Sequence, residues 1–332
     1  MRCTSPRPVG FKSDGKTISW SPKSFDPQYA TFQLPCGKCI NCRLEYSRQW
    51  AIRCMHEASC HKQNAFVTLT YASLDANAGR LNYRDVQLFF KKMREKRRRE
   101  LIKKIGPASW SELSNSEKKS KLKEISLIHM TVGEYGTKTK RPHWHVILFN
   151  YWPDDARRVR TGKGGHPVFN SQELTEMWGH GHTEIGTVTS ESAAYVARYS
   201  AKDLVHGDDG HDYKAICKRS TGTAIGRTYF ERFYDNILKL GYVTWNNQKA
   251  ALPRYYEKWA QKNAPDAFIQ YLSLKSQRGV SLAAAEEKRQ LEYIEANAKR
   301  GWGRPNLITE HEKAKAIAIK RLAELKTRKE QL

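Results

Sequence analysis

Residues at 134, 143, 145 and 195–202 carry groups that could together act on a phosphodiester. His143 and His145 lie in Pro-His-Trp-His-Val-Ile-Leu-Phe at 142–149, and Tyr195, Tyr199 and Lys202 in Tyr-Val-Ala-Arg-Tyr-Ser-Ala-Lys at 195–202. Two imidazoles can grip one divalent ion and leave coordination positions open for a substrate. A phenol, with a pKa of about 10, attacks phosphorus well only when its proton is removed or its oxyanion is stabilised. An ammonium beside it would stabilise charge on a pentacovalent phosphate. Attack by tyrosine keeps the bond energy in an ester, so strand transfer and resealing need no nucleotide hydrolysis.

Strands must position the histidines. Val146 to Phe149 form an apolar run closed by Asn150 and Pro153, which predicts a β-strand, and alternate strand residues share a face, so His143 and His145 project together. Residues 125–134 read as a second strand and 135–142, rich in Gly, Lys and Arg, as the connection. Antiparallel pairing of the two would bring Glu134 level with the histidines and complete a His-His-carboxylate set; an exposed strand-end glutamate is the other reading.

A helix must position the tyrosines. Thr189-Ser190-Glu191 supplies an N-cap and an acidic first turn. At helical spacing Tyr199 lies about 40° and Lys202 about 20° to either side of Tyr195, while Ala193, Ala197 and Leu204 cluster on the far side. The helix can therefore pack through its alanine face and leave the tyrosine stripe to a cleft.

Preceded by Phe66-Val-Thr-Leu-Thr-Tyr71, these motifs resemble in order and spacing the three motifs of HUH endonucleases that start rolling-circle replication. The resemblance is strongest to the replication initiators of gokushovirus-type Microviridae phages. It runs from Cys36-Gly-Lys-Cys-Ile-Asn-Cys-Arg43 through the tyrosine helix to Ala224-Ile-Gly-Arg-Thr-Tyr-Phe230 and Leu252-Pro-Arg-Tyr-Tyr256. It implies an α+β fold, a central antiparallel sheet flanked by helices, with residues 66–71 as a central strand beside the histidine strand. It also implies nicking of an origin strand to leave a 5′-phosphotyrosine and a free 3′-hydroxyl for a host polymerase. By matching motifs, His143 and His145, with Glu134, would hold Mg²⁺ or Mn²⁺; Tyr195 and Tyr199 would be nucleophiles and Lys202 the assisting cation. The second tyrosine favours replication initiation over single-tyrosine transposition. A plasmid or conjugative relaxase shares this site, and a zinc-stabilised, non-catalytic nucleic-acid-binding protein is the alternative from another class.

Charge agrees with a nucleic-acid partner. Lys plus Arg number 58 against 34 Asp plus Glu, a formal charge of +24, so binding to phosphates should be strong and salt-sensitive. The densest basic run, 91–99, falls in a predicted helix capped near Asn82, with Val86, Phe89, Phe90 and Met93 as its apolar face. Arg97, Arg98 and Arg99 there, and Lys138, Lys140 and Arg141 in the loop before the histidines, are candidate contacts to the DNA backbone; a solvated helical face is the plainer reading of such a run. The expected partners are single-stranded DNA and the origin of the chain's own replicon, with host helicase and polymerase. No run approaches a membrane span and the start lacks a signal-peptide pattern, which places the expected site of action in the cytoplasm of a bacterial host.

Seven cysteines, an odd number, argue for reduced thiols. Cys36, Cys39 and Cys42 form CxxCxxC. Structural zinc wants four ligands, so Cys3, Cys54 or His56 would have to complete the set, although 44–62 reads as a helix that could simply bury Cys54. The coarse organisation is a Cys-bearing segment over 1–62, a nuclease core over 63–250 and a helical basic region over 251–332, whose last 26 residues mix apolar and charged residues at helical spacing. Two decoys remain. Residues 10–17 match the P-loop expression letter for letter but sit among Ser, Pro and Arg without a buried strand before or a helix after, which suits an exposed turn. His180 and His182 form a second HxH, flanked by glycines, as a back-up metal pair.

Overall fold

The computed structural model describes residues 3–72, 79–136, 141–162, 164–198 and 216–299, with three isolated positions beyond. It is a mixed helix and sheet protein, α+β as expected, in two compact units. One contains 50–198 and 216–233; the other contains 3–49 and 234–299.

The first unit is built on a seven-stranded sheet. Its strands are β4 (Asn64–Tyr71), β5 (Ile128–Tyr135), β6 (Pro142–Phe149), β7 (Arg157–Thr161), β8 (Pro167–Asn170), β9 (Gly181–Thr187) and β10 (Ile216–Arg219), in the order β10-β5-β6-β4-β9-β8-β7. Every pairing in the sheet is antiparallel. The strand at 66–71 is central and pairs directly with the histidine strand, as the resemblance implies.

β4 explains how the sheet divides its two faces. Ala65, Val67, Leu69 and Tyr71 are buried and alternate with half-buried Phe66, Thr68 and Thr70. The buried set packs under α2 (Tyr83–Ile105) and α5 (Gln172–Trp178), in a core with Trp144, Val146, Leu148, Leu174 and Trp178. α2 starts where the sequence predicts, with the Asn82 side chain accepting from Arg84 N, and it buries Val86, Phe89, Phe90 and Met93. Each such side chain contributes about 1.5–3 kcal/mol through burial. The opposite face carries His143, His145 and Thr68 and is flanked by α1 (Ile40–Ser59), whose buried Cys54 lies 3.6 Å from Met130 of β5. Buried Glu57 of α1 accepts from Gly226 N at 2.6 Å and contacts His61 Nε2 at 2.9 Å, while Arg53 donates to Ile225 O. These bonds tie the 224–230 segment, which opens α7 (Arg227–Leu240), to this helix.

Two boundaries move for local reasons. The strand expected from 125 begins at Ile128, because Ser114 and Glu117 form a reciprocal capping box that starts α4 (Asn115–Glu124) and Ile125 closes that helix. α4 follows the short α3 (Pro107–Glu112). The helix expected over 44–62 runs instead from 40 to 59.

The second unit opens on β1 (Arg7–Phe11), β2 (Ile18–Ser19) and β3 (Phe32–Leu34), a small antiparallel sheet in the order β2-β1-β3. The P-loop look-alike lies in its first turn. Asp14 accepts from Lys16 N and Thr17 N at 2.9 and 2.7 Å, and the next helical element is a single 3₁₀ turn at Pro22–Ser24, so no helix N-terminus is available to a phosphate. The unit continues with the hairpin β11 (Val243–Trp245) and β12 (Gln248–Ala250), then α8 (Arg254–Asn263) and α9 (Pro265–Lys299). Apart from three positions, the tail 307–332 lies outside the described residues, as do Lys138, Lys140, Tyr199 and Lys202. Among the described residues no helix is long and apolar enough to cross a membrane.

Candidate active site

Strand register assembles the site. Glu134 of β5 sits directly opposite His143 of β6, and His145 pairs with Val132 on the same side of the ladder. On the other flank Thr70 of β4 pairs with His143 and Thr68 with His145. Directly paired residues and those two apart share a face, so Glu134, both histidines and both threonines point the same way.

The hydrogen bonds follow from that register. Thr68 Oγ1 lies 3.1 Å from His145 Nδ1, and Thr70 Oγ1 lies 3.1 Å from His143 Nδ1. Each imidazole is thus held through Nδ1, which leaves Nε2 to face an ion or a substrate. His145 Nε2 lies 2.9 Å from Glu134 Oε1. Phe66 stacks on the His145 ring with centroids 5.7 Å apart and planes 3° apart, which fixes the ring plane. His143 is half-buried, and burial, with His145 and Arg141 nearby, lowers its pKa against the opposing pull of Glu134. Its imidazole is therefore neutral near pH 7, the form that can donate a lone pair to a metal.

The candidate nucleophile, Tyr195, arrives from α6 (Ser190–Arg198). Thr189 caps it, its Oγ1 accepting from Ser192 N at 3.2 Å, and Ala193, Val196 and Ala197 are buried, as the alanine face predicts. Tyr195 reaches the sheet. Its hydroxyl donates to Glu134 Oε1 at 2.8 Å and lies 3.4 Å from His145 Nε2, with its ring edge-on to the His145 ring. One carboxylate oxygen thus contacts both the phenol and the imidazole.

The donor set suits a hard or borderline divalent ion: one carboxylate and two imidazoles on a rigid sheet. Among the described residues, however, the set of three or more metal donors whose atoms all lie within 4.8 Å of one another is a different one, Cys3, Cys36, Cys39 and Cys42. Glu134 and His145 are drawn together, whereas His143 Nε2 lies toward Gly136, 3.2 Å from where a Cβ on that glycine would be.

The cysteine cluster answers which residue completes CxxCxxC. It is Cys3, whose Sγ lies 3.8 Å from Cys39 Sγ and accepts from Cys36 N at 3.3 Å. Cys54 is instead buried against Met130, and His56 stacks on Tyr229 at 4.0 Å, with burial lowering its pKa to about 4. The four thiols could hold a metal ion such as zinc, for which four sulfurs in tetrahedral array are a common structural set. Burial raises the Cys39 pKa, but hydrogen bonds with Thr4 and Cys42 outweigh it and bring the thiol to about 6, so a thiolate is available near neutrality.

The second HxH is divided. His180 turns to Tyr71 and Trp178, with Nε2 3.8 Å from Asp85. His182 is exposed and pairs with Thr70 on the other side from His143, which places it on the catalytic face. Between them, Gly181 has φ +148°, and a Cβ there would collide with the backbone of Thr70 and Ala72. Of the basic candidates, Arg97 is drawn inward, donating to Asn150 O at 2.7 Å and lying over the Tyr151 ring, while Arg98 and Arg99 are exposed. Arg141 O closes the loop before β6 by accepting from Gly136 N. Sequence reasoning missed Thr68 and Thr70 as partners of the imidazoles; their alternation along a strand beside the histidine strand was the available signal.

Residues 64–204 match the family model of the replication-associated protein ORF2. The chain is 40% identical over 273 residues to replication-associated protein VP4 of Bdellovibrio phage phiMH2K, covering 82% of this chain and 81% of that one. It is 30% identical over 260 residues to replication-associated protein ORF2 of Spiroplasma virus 4, covering 74% and 73% of the two chains. It is 29% identical over 239 residues to replication-associated protein ORF4 of Chlamydia phage 1, covering 70% of this chain and 54% of that one. No solved structure matches the chain. On these grounds the chain belongs to the phage replication-associated proteins.

Proposed function

We propose that this replication protein nicks and rejoins single-stranded DNA at the origin of its own replicon by tyrosine transesterification. The observation that carries the reading is the hydrogen bond from the Tyr195 hydroxyl to Glu134 Oε1 at 2.8 Å, within reach of His145. A nucleophile is joined to a base, and the base is oriented by a third group, the arrangement that activated oxygen nucleophiles require.

In the forward step Tyr195 Oη bonds to phosphorus as its proton passes to Glu134. The bond from phosphorus to O3′ breaks, and the departing oxygen takes up a proton as the 3′-hydroxyl. The 5′ end stays on the protein as a phosphotyrosine ester, and the reverse step reseals the strand. Mg²⁺ or Mn²⁺ held by His143, His145 and Glu134 would polarise a non-bridging phosphate oxygen. Thr68 and Thr70 keep both imidazoles turned so that Nε2 meets the substrate side. Tyr199, four residues on in the sequence, would take the second strand, and Lys202 would stabilise the charge at phosphorus. The free 3′-hydroxyl would prime a host polymerase behind a host helicase in the bacterial cytoplasm. Lys138, Lys140, Arg141, Arg98 and Arg99 would hold the DNA backbone.

The test is a denaturing gel after incubation with labelled origin DNA, with and without Mg²⁺ or Mn²⁺. A metal-dependent band of DNA covalently held to protein, lost in Tyr195→Phe, is expected. Tight, salt-sensitive binding with no adduct in either metal would contradict the reading and leave a non-catalytic binding protein.

A further inference from the structure

The face of the sheet turned away from Tyr195 carries a separate basic groove. It lies between α2, the α4–β5 junction and the segment after β10, encloses about 960 Å³, and has Phe90 and His129 in its lining. Phe90 and His129 stack at 3.9 Å and are buried, so they form a rigid floor. His129 lies on the same side of β5 as Phe90, whereas Glu134 and Met130 lie on the other.

The walls are cationic. Arg84, Lys91, Arg94 and Arg98 follow one another along α2 at intervals of 7, 3 and 4 residues, which is a single helical stripe. That stripe rises about 21 Å, long enough to track several phosphates of an extended strand. Lys123 faces it from α4, while the Arg219 guanidinium turns to the other face and stacks on Trp50 of α1 at 4.2 Å. Against these five cations the lining holds one carboxylate, Glu95, 3.3 Å from Arg98. Ser220 and Thr221 add hydroxyl groups, and Tyr83 offers a ring near one end, with Lys218 Nζ 5.7 Å from its centroid. A cationic channel with hydroxyls and an aromatic ring is the arrangement that binds single strands without reading sequence.

We propose that this groove is a second binding site for single-stranded DNA, holding a stretch of strand on the face opposite the nucleophile. It shares with the proposed function a DNA partner, but not its chemistry. The α2 run counted as a candidate contact from sequence is thereby split: Arg94 and Arg98 belong to the groove, Arg97 to the fold, and Arg99 to the other flank of the helix.

The experiment compares two triple variants of equal charge change in the full chain. Arg84→Ala/Lys91→Ala/Arg94→Ala alters the groove; Lys92→Ala/Lys96→Ala/Lys103→Ala alters the other flank of α2. Binding of a long labelled deoxythymidine oligonucleotide is followed by fluorescence anisotropy across a range of salt, with thermal unfolding as a check on the fold. The groove triple is expected to weaken binding about tenfold or more and to flatten the salt dependence by about 2 in log–log slope, with the flank triple changing each far less. Equal losses from the two triples would overturn the proposal, as would a larger loss for duplex than for single strand. Adduct formation by the unaltered protein on origin DNA, run alongside, reports on the tyrosine chemistry independently of the groove.

Discussion

The two clusters of metal-ligand side chains in this chain are built in opposite ways. The Glu134, His143, His145 and Tyr195 group stands on two adjacent strands and one helix, with each imidazole held from behind by a threonine of β4. The Cys3, Cys36, Cys39 and Cys42 group brings a residue near the chain start to a short loop and the first turn of α1. The first offers mixed oxygen and nitrogen donors beside a tyrosine hydroxyl, the second four sulfurs. Open sites with mixed donors suit chemistry, and closed tetrahedral sulfur sites suit folding stability. The difference teaches that losses in the first group should appear in activity with the fold intact, and losses in the second in stability.

Glu134→Gln, which removes the proton acceptor of Tyr195, is expected to slow adduct formation by about 10²–10³ while leaving the thermal midpoint within a degree or two. A large fall in stability instead would erase the distinction. Cys3→Ser and Cys39→Ser should each lower the thermal midpoint by roughly 10 °C and abolish retention of one zinc per chain, measured by elemental analysis after gel filtration. An unchanged midpoint with no zinc would make the cysteines plain free thiols. Thr68→Val should weaken the Mn²⁺ dependence of nicking by about tenfold, because the His145 ring loses the partner of its Nδ1.

The smallest effect concerns acid. His56 and His129 are buried and their pKa values are lowered to about 4, by burial first and, for His129, by Arg94 as well. The unfolded chain binds these protons near pH 6.5 and the folded chain does not. Their contribution is therefore complete above about pH 6.5 and falls away as the pH drops toward 4. The urea midpoint should decline over that window with zinc bound, and His129→Phe should make the decline shallower; an equal slope in the variant would place the acid sensitivity in the cysteine cluster.

How much of this was legible depended on distance along the chain. The histidine strand, its pairing with the Glu134 strand and the α2 face follow from local periodicity, and the Glu134 to His143 register came out as the antiparallel argument requires. Thr189 caps the tyrosine helix as its sequence suggests, since capping is also local. The identity of the fourth cysteine was not legible, because Cys3 and Cys36 stand 33 positions apart and spacing alone left Cys54 and His56 equally open. The basic groove was hidden for the same reason. Its stripe on α2 is periodic, but Lys123 joins it only through packing.

The central claim is that Tyr195 forms the covalent bond to DNA. It is tested most directly by digesting the adduct formed in a single turnover on origin DNA and sequencing the nucleotide-bearing peptide by mass spectrometry. The modification is expected on Tyr195, with the 5′ phosphate ester-linked to its oxygen. A modification on any other residue in that first turnover, with Tyr195 unmodified, would contradict the account.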